Sequence, residues 1–292
     1  MKRFMSSYPK ISKKLQISDL LKKKQNNQKI SMITAYDYHS TLLGNKAKID
    51  CLLIGDSLGM TIQGNKNTLS VSLDEIIYHS KIVSQTNQNS LIISDLPFGS
   101  FEYCSKQAIQ NCIKIIKETK VDAIKIEGGE SRSKTIKTVV DSGIPVLGHI
   151  GLQPQLSNIN GFKPVGKNLP QAIKIVNDAI ALERSGCFGI VVECIPFKLA
   201  EKLTKIINIP IIGIGSGNKC DGQVLVYHDL IGLTENPPSF SKAYCNSRAL
   251  ILNALNDFKL DIENKRIPEK IYFKNPEEEM EIFNWIHKKF GI

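Results

Sequence analysis

The chain has 292 residues, of which 42% are apolar and 23% charged, and its formal net charge is +10 at pH 7. This composition is that of a globular protein able to bury a sizeable core. No apolar run approaches the roughly 18 residues of a membrane span, and the N-terminus has no apolar signal-peptide segment, so we expect a cytoplasmic protein without a membrane partner.

Cysteine usage narrows the class of protein further. The seven cysteines include no C-x-x-C pair, and their number is odd. This pattern argues against a disulfide framework and against a structural zinc site, and it favours a reducing compartment.

The positive charge is concentrated at the start of the chain. Residues 1–30 contain nine basic side chains and one acidic side chain, which accounts for +8 of the net charge of +10. Such a segment is either a solvated leader or an arm that binds nucleic acid or anionic lipid. No glycine is interleaved with the charges, and the aromatic residues are limited to Phe4 and Tyr8, which favours the solvated leader. We therefore predict a flexible arm over residues 1–16 and no nucleic-acid partner.

A short helix from Ile17 to Lys24 is predicted first, with Leu20 and Leu21 facing inward. Eight short β-rich apolar runs then alternate with longer segments of helical period. Their near-continuous hydrophobicity predicts parallel strands covered on both faces. The runs are Ser31–Asp37, Asp50–Asp56, Ser90–Leu96, Val121–Glu127, Ile144–Ile150, Phe188–Ile195, Ile209–Gly215 and Val224–Ile231.

Several of the helical segments begin with recognisable caps. Ser72 and Glu75 form a capping box, Ser105 is predicted to cap the next helix, and Asn168 with Pro170 opens another. Further predicted segments are a helix opened by Pro196, a last helix over Asn246–Leu260, and loops over Gly59–Ser72 and Gly151–Asn168.

Eight βα units with right-handed crossovers close most simply into an α/β fold of the (β/α)8, or TIM barrel, type. An open doubly wound sheet is the alternative. We predict the barrel domain over residues 17–265 and a C-terminal extension with an appended helix over residues 266–292.

Acidic residues end four of the eight predicted strands, namely Asp56, Asp95, Glu127 and Glu193. In a barrel, such positions meet at the carboxyl-terminal face, where active sites lie. Clustered carboxylates cannot all ionise without a compensating cation, and oxygen ligands favour Mg2+ over zinc. Because Asp56, Asp95 and Glu127 come from three neighbouring strands, they predict a shared Mg2+ site. The alternative for any one of them is a structural helix cap.

Four other polar residues lie near this predicted site. Lys125 and Ser57 could hold a substrate carboxylate, and His149 could donate a hydrogen bond to an oxyanion. Glu193, among apolar neighbours on the sixth strand, fits a general base or acid. The alternatives are a buried Lys125–Glu127 pair and a satisfied core histidine at 149.

The motifs taken together resemble one family, ketopantoate hydroxymethyltransferase (3-methyl-2-oxobutanoate hydroxymethyltransferase) of pantothenate synthesis. They keep the order and spacing of that family from about residue 17 to residue 265. The matching stretches are Thr34–Tyr38, Gly55–Met60, Asp95–Phe98, Lys125–Gly129, Gly148–Leu152, Glu193–Pro196, Gly213–Gly215 and His228–Asp229.

The resemblance implies a barrel related to the phosphoenolpyruvate mutase and isocitrate lyase group, and cytoplasmic homo-oligomers that are often decamers. It also implies three sets of site residues. These are Mg2+ ligands at Asp56, Asp95 and Glu127, contacts to the 2-oxo acid at Asp56, Ser57, Asp95 and Lys125, and a proton acceptor at Glu193.

The sequence departs from the family pattern in a loop and a turn. Asn160-Gly161-Phe162-Lys163 replaces Gly-Gly-Tyr-Lys, and Ser216 replaces an alanine. The loop change leaves the contacts on the folate side undefined.

The function expected from the resemblance is Mg2+-dependent transfer of a hydroxymethyl group from 5,10-methylenetetrahydrofolate to 3-methyl-2-oxobutanoate, giving 2-dehydropantoate and tetrahydrofolate. One alternative is a Mg2+-dependent C–C lyase of the same barrel group, which relies on a reactive loop cysteine that is not visible here. The other alternative is a nucleic-acid-binding protein that uses residues 1–30.

Overall fold

The structure is a computed structural model that describes residues 14–268 and 275–292, so most of the predicted arm, residues 1–13, lies outside the described residues. The chain forms two compact units, Met1–Cys245 and Asn246–Ile292. The boundary predicted at residue 265 therefore falls inside the second unit.

Eight parallel strands, counted over the described residues, close into a barrel in which each strand pairs with the next and the last pairs with the first. This result confirms the (β/α)8 prediction and excludes the open sheet. The strands are β1 Ile30–Thr34, β2 Cys51–Ile54, β3 Leu91–Asp95, β4 Ala123–Glu127, β5 Val146–Gly151, β6 Gly189–Glu193, β7 Ile211–Ile214 and β8 Gly222–Leu225.

Helices connect the strands and cover the barrel. Those of the first unit are α1 Ile17–Gln25, α2 Tyr38–Lys46, α3 Leu58–Thr61, α4 Leu73–Thr86, α5 Ser105–Thr119, α6 Ser133–Asp141, α7 Ser157–Asn160, α8 Leu169–Arg184, α9 Phe197–Ile206 and α10 Tyr227–Leu230. The second unit contains α11 Ser247–Glu263 and α12 Pro276–Phe290. Among the described residues, no helix has the length and apolar character needed to cross a bilayer.

Several predicted helix starts are confirmed. Ser72 and Glu75 form the reciprocal capping box of α4, and the side chain of Asn168 accepts the Gln171 N–H at the start of α8. The predicted cap at Ser105 is wrong. Ser105 is already the first helical residue of α5, so Cys104 occupies the cap position. The Cys104 side chain makes no capping hydrogen bond.

The predicted strand Val224–Ile231 is wrong in its second half. Strand β8 ends at Leu225, and Tyr227–Leu230 form the short helix α10. The hydroxyl of Thr34, at the end of β1, accepts the backbone N–H of Tyr227 at 2.9 Å. This tertiary bond uses the Tyr227 N–H, which a continued strand would present to a neighbouring strand. The periodicity of apolar residues does not predict such a bond.

The predicted loops also contain short ordered elements. Gly59–Ser72 includes most of α3, and Gly151–Asn168 includes α7 and a 3-10 turn at Pro154–Leu156.

Two apolar clusters form the core of the first unit, because alternate strand residues face opposite sides of the barrel wall. Leu52 and Ile54 of β2 point outward into the cluster shared with the helices. Cys51 and Leu53 point into the barrel interior, where Leu20 of α1 joins them. Helix α1 therefore contributes to the packing that fills the barrel.

The basal end of the barrel, where the strands begin, carries a repeated ion-pair arrangement. Three aspartates each directly precede a strand, accept a backbone N–H from the neighbouring strand and pair with a lysine. Asp221, for example, accepts the Ile211 N–H at 2.9 Å and contacts Lys24 at 2.7 Å. The other two pairs are Lys23–Asp50 at 2.5 Å and Lys14–Asp122 at 2.7 Å.

These lysines belong to the basic segment on which the nucleic-acid alternative depends. Lys14, Lys23 and Lys24 are three of its nine cations, and their charges are balanced within the chain. A third of the cations proposed to bind nucleic acid are therefore already paired with aspartates of the same chain.

Candidate active site

A cavity of about 1210 Å3 occupies the mouth of the barrel, where the strands end. Strand register brings the predicted residues there: Asp95, Glu127 and Glu193 are the last residues of β3, β4 and β6, and His149 pairs in register with Glu127. All seven predicted site residues line this cavity. They are Asp56, Ser57, Asp95, Lys125, Glu127, His149 and Glu193.

Lys125 lies among the three carboxylates predicted to bind metal. Its Nζ is 2.6 Å from Asp95 Oδ1 and 3.9 Å from Glu127 Oε1. The backbone N–H of Asp56 donates to Asp95 Oδ2 at 3.0 Å. All four residues are at least 95% buried. The buried Lys125–Glu127 pair, which was the alternative reading of these residues, is thus one contact within a larger charged network.

Burial and mutual repulsion shift the ionisation of this network. Burial, and then the charges of Asp95 and Glu127, raise the pKa of Asp56 to about 8, although Lys125 opposes the shift. Burial also raises the pKa of Asp95, against the opposing effect of Lys125. Burial alone would lower the pKa of Lys125, but the surrounding carboxylates raise it above its ordinary value, so the amine stays protonated.

His149 links the metal-binding group to the predicted base. Its Nδ1 lies 3.3 Å from Glu127 Oε1, and its Nε2 lies 3.2 Å from Glu193 Oε2. Neither contact has the alignment of a hydrogen bond, so both are ion pairs in character. His149 is therefore not a hydrogen-bonded core histidine, and its predicted contact with substrate stays a prediction.

The charge of His149 follows from these neighbours. Burial and Lys125 lower its pKa, but the carboxylates of Glu127 and Glu193 outweigh them and raise it to about 9. The pKa of Glu127 is lowered, because His149 and Lys125 overcome the effect of burial. At neutral pH the site thus contains an imidazolium between two carboxylates.

Glu193 differs from the metal-binding group in its access to the cavity. Its side chain is 15% exposed, whereas that of Asp95 is 2% exposed. The next residue, Cys194, has a left-handed φ of 50°, which is strained for a side chain other than glycine. This residue directly follows β6, which ends at Glu193. Burial, then the charge of Glu193, raises the pKa of the Cys194 thiol to about 12.

Sequence reasoning missed the partner of Ser57. The hydroxyl of Tyr36 lies 2.7 Å from Ser57 Oγ, and burial raises the Tyr36 pKa to about 12. The Tyr36 carbonyl contacts His79 Nδ1 at 2.6 Å. Tyr36 belongs to the Thr34–Tyr38 motif, which was the signal available for it. The fully buried tyrosine fixes the position of the serine.

Gln155 was also missed. Its side-chain Nε2 donates to Asp56 Oδ2 and to the Leu96 carbonyl, both at 2.9 Å, and its backbone N–H donates to Glu127 Oε2 at 3.1 Å. It lies in the predicted loop after β5, and the only signal for it was that position after a strand end. The loop folds back across the mouth and places Gln155 beside two predicted metal ligands.

The predicted ligands fit a hydrated divalent cation in charge and donor type. Asp56, Asp95 and Glu127 offer only carboxylate oxygens, and Glu127 Oε1 is buried without a hydrogen-bond partner. Among the seven predicted site residues they make, with Glu193, four carboxylates facing two cations, Lys125 and His149, so full ionisation of this set leaves two negative charges uncompensated. Mg2+ often keeps several waters and uses few carboxylates directly.

The arrangement is not yet a coordination shell. Over residues 14–268 and 275–292, no three His, Cys, Asp or Glu side chains are already grouped so that they could hold a metal ion. The Mg2+ site therefore stays a prediction supported by charge and donor chemistry.

Comparisons with solved structures confirm the fold class. Phosphoenolpyruvate phosphomutase from Streptomyces platensis subsp. rosaceus matches with a TM-score of 0.58 at 11% identity, covering 94% of this chain and 99% of its own. Phosphonopyruvate hydrolase, in complex with oxalate and Mg2+, gives 0.57 at 10% identity, covering 95% and 100%. A 2,3-dimethylmalate lyase of the phosphoenolpyruvate mutase/isocitrate lyase superfamily gives 0.53 at 13% identity, covering 94% and 96%. At these identities the likeness shows the barrel type alone.

Sequence relatives define the family. Residues 14–270 match the family profile described as ketopantoate hydroxymethyltransferase. A 3-methyl-2-oxobutanoate hydroxymethyltransferase of Saccharolobus islandicus is 43% identical over 266 residues, which cover 91% of this chain and 99% of the relative. The enzyme of the same name from Clostridium botulinum is 46% identical over 261 residues, covering 88% and 95%. The chain therefore belongs to the ketopantoate hydroxymethyltransferase family of enzymes.

Proposed function

We propose that this enzyme transfers a hydroxymethyl group from 5,10-methylenetetrahydrofolate to 3-methyl-2-oxobutanoate, giving 2-dehydropantoate and tetrahydrofolate. One observation carries the proposal: the chain is a member of this family, and all seven predicted site residues line one cavity at the barrel mouth. A cytoplasmic location and a homo-oligomer, decameric by family resemblance, stay predictions from that resemblance.

We assign the Mg2+ ligands to Asp56, Asp95 and Glu127, whose charge and oxygen donors fit the ion. When bound, Mg2+ acts as a Lewis acid on the keto oxygen and makes the C3 proton of the substrate more acidic. The presence of Mg2+ and oxalate, a small dicarboxylate, in the complex of phosphonopyruvate hydrolase supports this assignment at the level of the shared fold.

Lys125 and Ser57 hold the 2-oxo acid in this proposal. The lysine stays protonated, so it attracts the substrate carboxylate while its contact with Asp95 fixes its direction. Ser57 is held by Tyr36, which leaves its hydroxyl at a defined place on the cavity wall. Both residues therefore orient the substrate, and such orientation is a large part of enzymatic rate enhancement.

Glu193 removes the C3 proton. It is the carboxylate with greater access to the cavity, and His149 contacts it from the side of the metal-binding group. A carboxylate positioned in this way contributes typically 10²–10⁴-fold as a general base. The imidazolium of His149 holds the Glu193 carboxylate in place and adds positive charge beside the developing enolate.

The carbanion at C3 then forms a bond to the methylene carbon of the donor, whose bonds to the two folate nitrogens break. Water supplies the hydroxyl oxygen, and protons return to the folate nitrogens, so the reaction balances with tetrahydrofolate as the leaving product. The cavity is much larger than a five-carbon acid and is lined in part by apolar residues. Phe162 and Pro164, from the loop that departs from the family pattern, are among them.

The test is an assay of one-carbon transfer to 3-methyl-2-oxobutanoate with and without Mg2+ and the folate donor. We expect 2-dehydropantoate only when both are present. Cleavage of a 2-hydroxy or 2-oxo diacid without folate would favour the lyase alternative instead. The lyase alternative relies on a reactive cysteine. Cys194 lines the cavity, but burial keeps its thiol protonated, which disfavours that alternative.

A further inference from the structure

The loop after β5 brings an uncharged polar side chain into the charged mouth of the barrel. Gln155 is 3% exposed, and its three hydrogen bonds reach Asp56, Glu127 and the Leu96 carbonyl. Asp56 is 99 residues away in the sequence. One residue of the loop thus fixes a carboxylate at the end of β4 and another in the turn that follows β2.

The chemistry of the amide matters here. An arginine or lysine at this place would neutralise a carboxylate, whereas a glutamine orients it and leaves its charge available. Both hydrogens of Gln155 Nε2 are used, one on Asp56 Oδ2 and one on the Leu96 carbonyl. The direction of the side chain is therefore fixed.

The remaining atom of the amide has no partner. Gln155 Oε1 is buried and accepts no hydrogen bond in the structure. Buried acceptors in folded proteins are normally satisfied, so an orphan acceptor beside uncompensated carboxylates calls for a donor from outside the chain. Water held by a hydrated cation is such a donor.

We infer that Gln155 is a positioning residue for the divalent cation: it orients Asp56 and Glu127, and its Oε1 accepts a hydrogen bond from cation-bound water. The inference rests on the proposed function, because it assumes the metal site assigned there. Partners that orient metal ligands in this way typically change metal affinity 10–100-fold when they are removed.

The test is Gln155→Met, which keeps the length of the side chain and removes its hydrogen-bonding groups. Titration calorimetry of the full chain with MgCl2, without substrates, should show Mg2+ affinity weakened by about 10–100-fold. The thermal midpoint measured in EDTA should change far less than the midpoint measured with Mg2+. A structural role alone would lower both midpoints together and leave the affinity of the folded fraction unchanged, and that result would overturn the inference.

Gln107→Met is the matched control. Gln107 also ties a loop with its amide, donating to the Gly99 carbonyl at 3.0 Å and accepting the Tyr103 N–H at 3.1 Å, but its amide bonds none of the predicted metal ligands. Its Mg2+ affinity should equal that of the unchanged chain.

If Gln155→Met does not fold, Gln155→Asn serves instead, because it keeps the amide and shortens its reach. Its Mg2+ affinity should also fall, and an unchanged affinity would again overturn the inference. Absence of Mg2+ binding by the unchanged chain would reject the metal site of the proposed function. Normal binding with no effect in either variant would reject only the role of Gln155.

Discussion

The two ends of the barrel use the same kinds of charged side chain in opposite ways. At the basal end, three aspartates each have one lysine partner and one backbone N–H, as Asp221 has Lys24 and Ile211. At the mouth, the four predicted carboxylates share two predicted cations, Lys125 and His149, and buried atoms of Glu127 and Gln155 have no hydrogen-bond partner. One end is balanced within the chain, and the other is not.

The difference indicates where a ligand belongs. Buried charge is tolerated when it is paired and hydrogen-bonded, and the basal aspartates meet that condition. At the mouth, repulsion by Asp95 and Glu127 adds to the effect of burial and raises the Asp56 pKa to about 8. Perturbed groups of this kind cluster at functional sites. Changes at the mouth should therefore impair function, and changes at the basal end should impair stability.

The largest effect is expected from Glu193→Gln. The amide cannot accept the C3 proton, so exchange of that proton with D2O, followed by NMR on 3-methyl-2-oxobutanoate, should slow by about 10²–10⁴-fold. Mg2+ affinity should change little, since Glu193 is not among the assigned ligands.

Glu130→Gln supplies the control for this variant. Glu130 is an exposed acid just beyond β4 and does not line the mouth cavity, so exchange should keep its normal rate. Exchange at the normal rate in Glu193→Gln would remove Glu193 from the base role.

The next effect concerns the metal. Asp95→Asn removes one negative charge with little change of shape and weakens the contact to Lys125, now 2.6 Å from Asp95 Oδ1. Mg2+ affinity measured by calorimetry should fall by roughly 100-fold, since even outer partners of metal ligands are worth 10–100-fold. The dependence of transfer activity on Mg2+ concentration should shift in parallel. An unaltered metal requirement would refute Asp95 as a ligand.

Much of the fold could be predicted because it depends on local sequence. Near-continuous apolar runs marked the strands, and the capping box of Ser72 and Glu75 marked the start of α4. The end of β8 could not be predicted, because the bond from Tyr227 N–H to Thr34 joins residues 193 positions apart. Periodicity alone continued that strand to Ile231.

The residues of the candidate site also divide into those that the sequence could predict and those that it could not. Asp95, Glu127 and Glu193 were predictable, because they end strands and barrel topology alone brings strand ends together. Gln155 was not, because its place beside Asp56 depends on how a loop folds back across the mouth. The link that His149 makes between two carboxylates depends on side-chain directions, which spacing does not give.

The smallest effect is expected at the basal end, from Lys24→Met. This change keeps the apolar stem of the lysine and leaves Asp221 with the Ile211 N–H but without its cation. Both side chains of the pair are 13% exposed, so solvent screens the loss only in part. The free energy of unfolding should fall by about 1–3 kcal/mol, measured by urea denaturation.

Lys22→Met is the matched control for this loss of stability, because the Lys22 side chain is 65% exposed and its pair with Asp19 lies at the surface. Exposed pairs contribute little, so this variant should unfold at the same urea concentration as the unchanged chain. Mg2+ affinity should be unchanged in both variants, since the basal pairs lie at the opposite end of the strands. A Lys24→Met chain with normal stability and impaired Mg2+ binding would contradict the division of roles between the two ends.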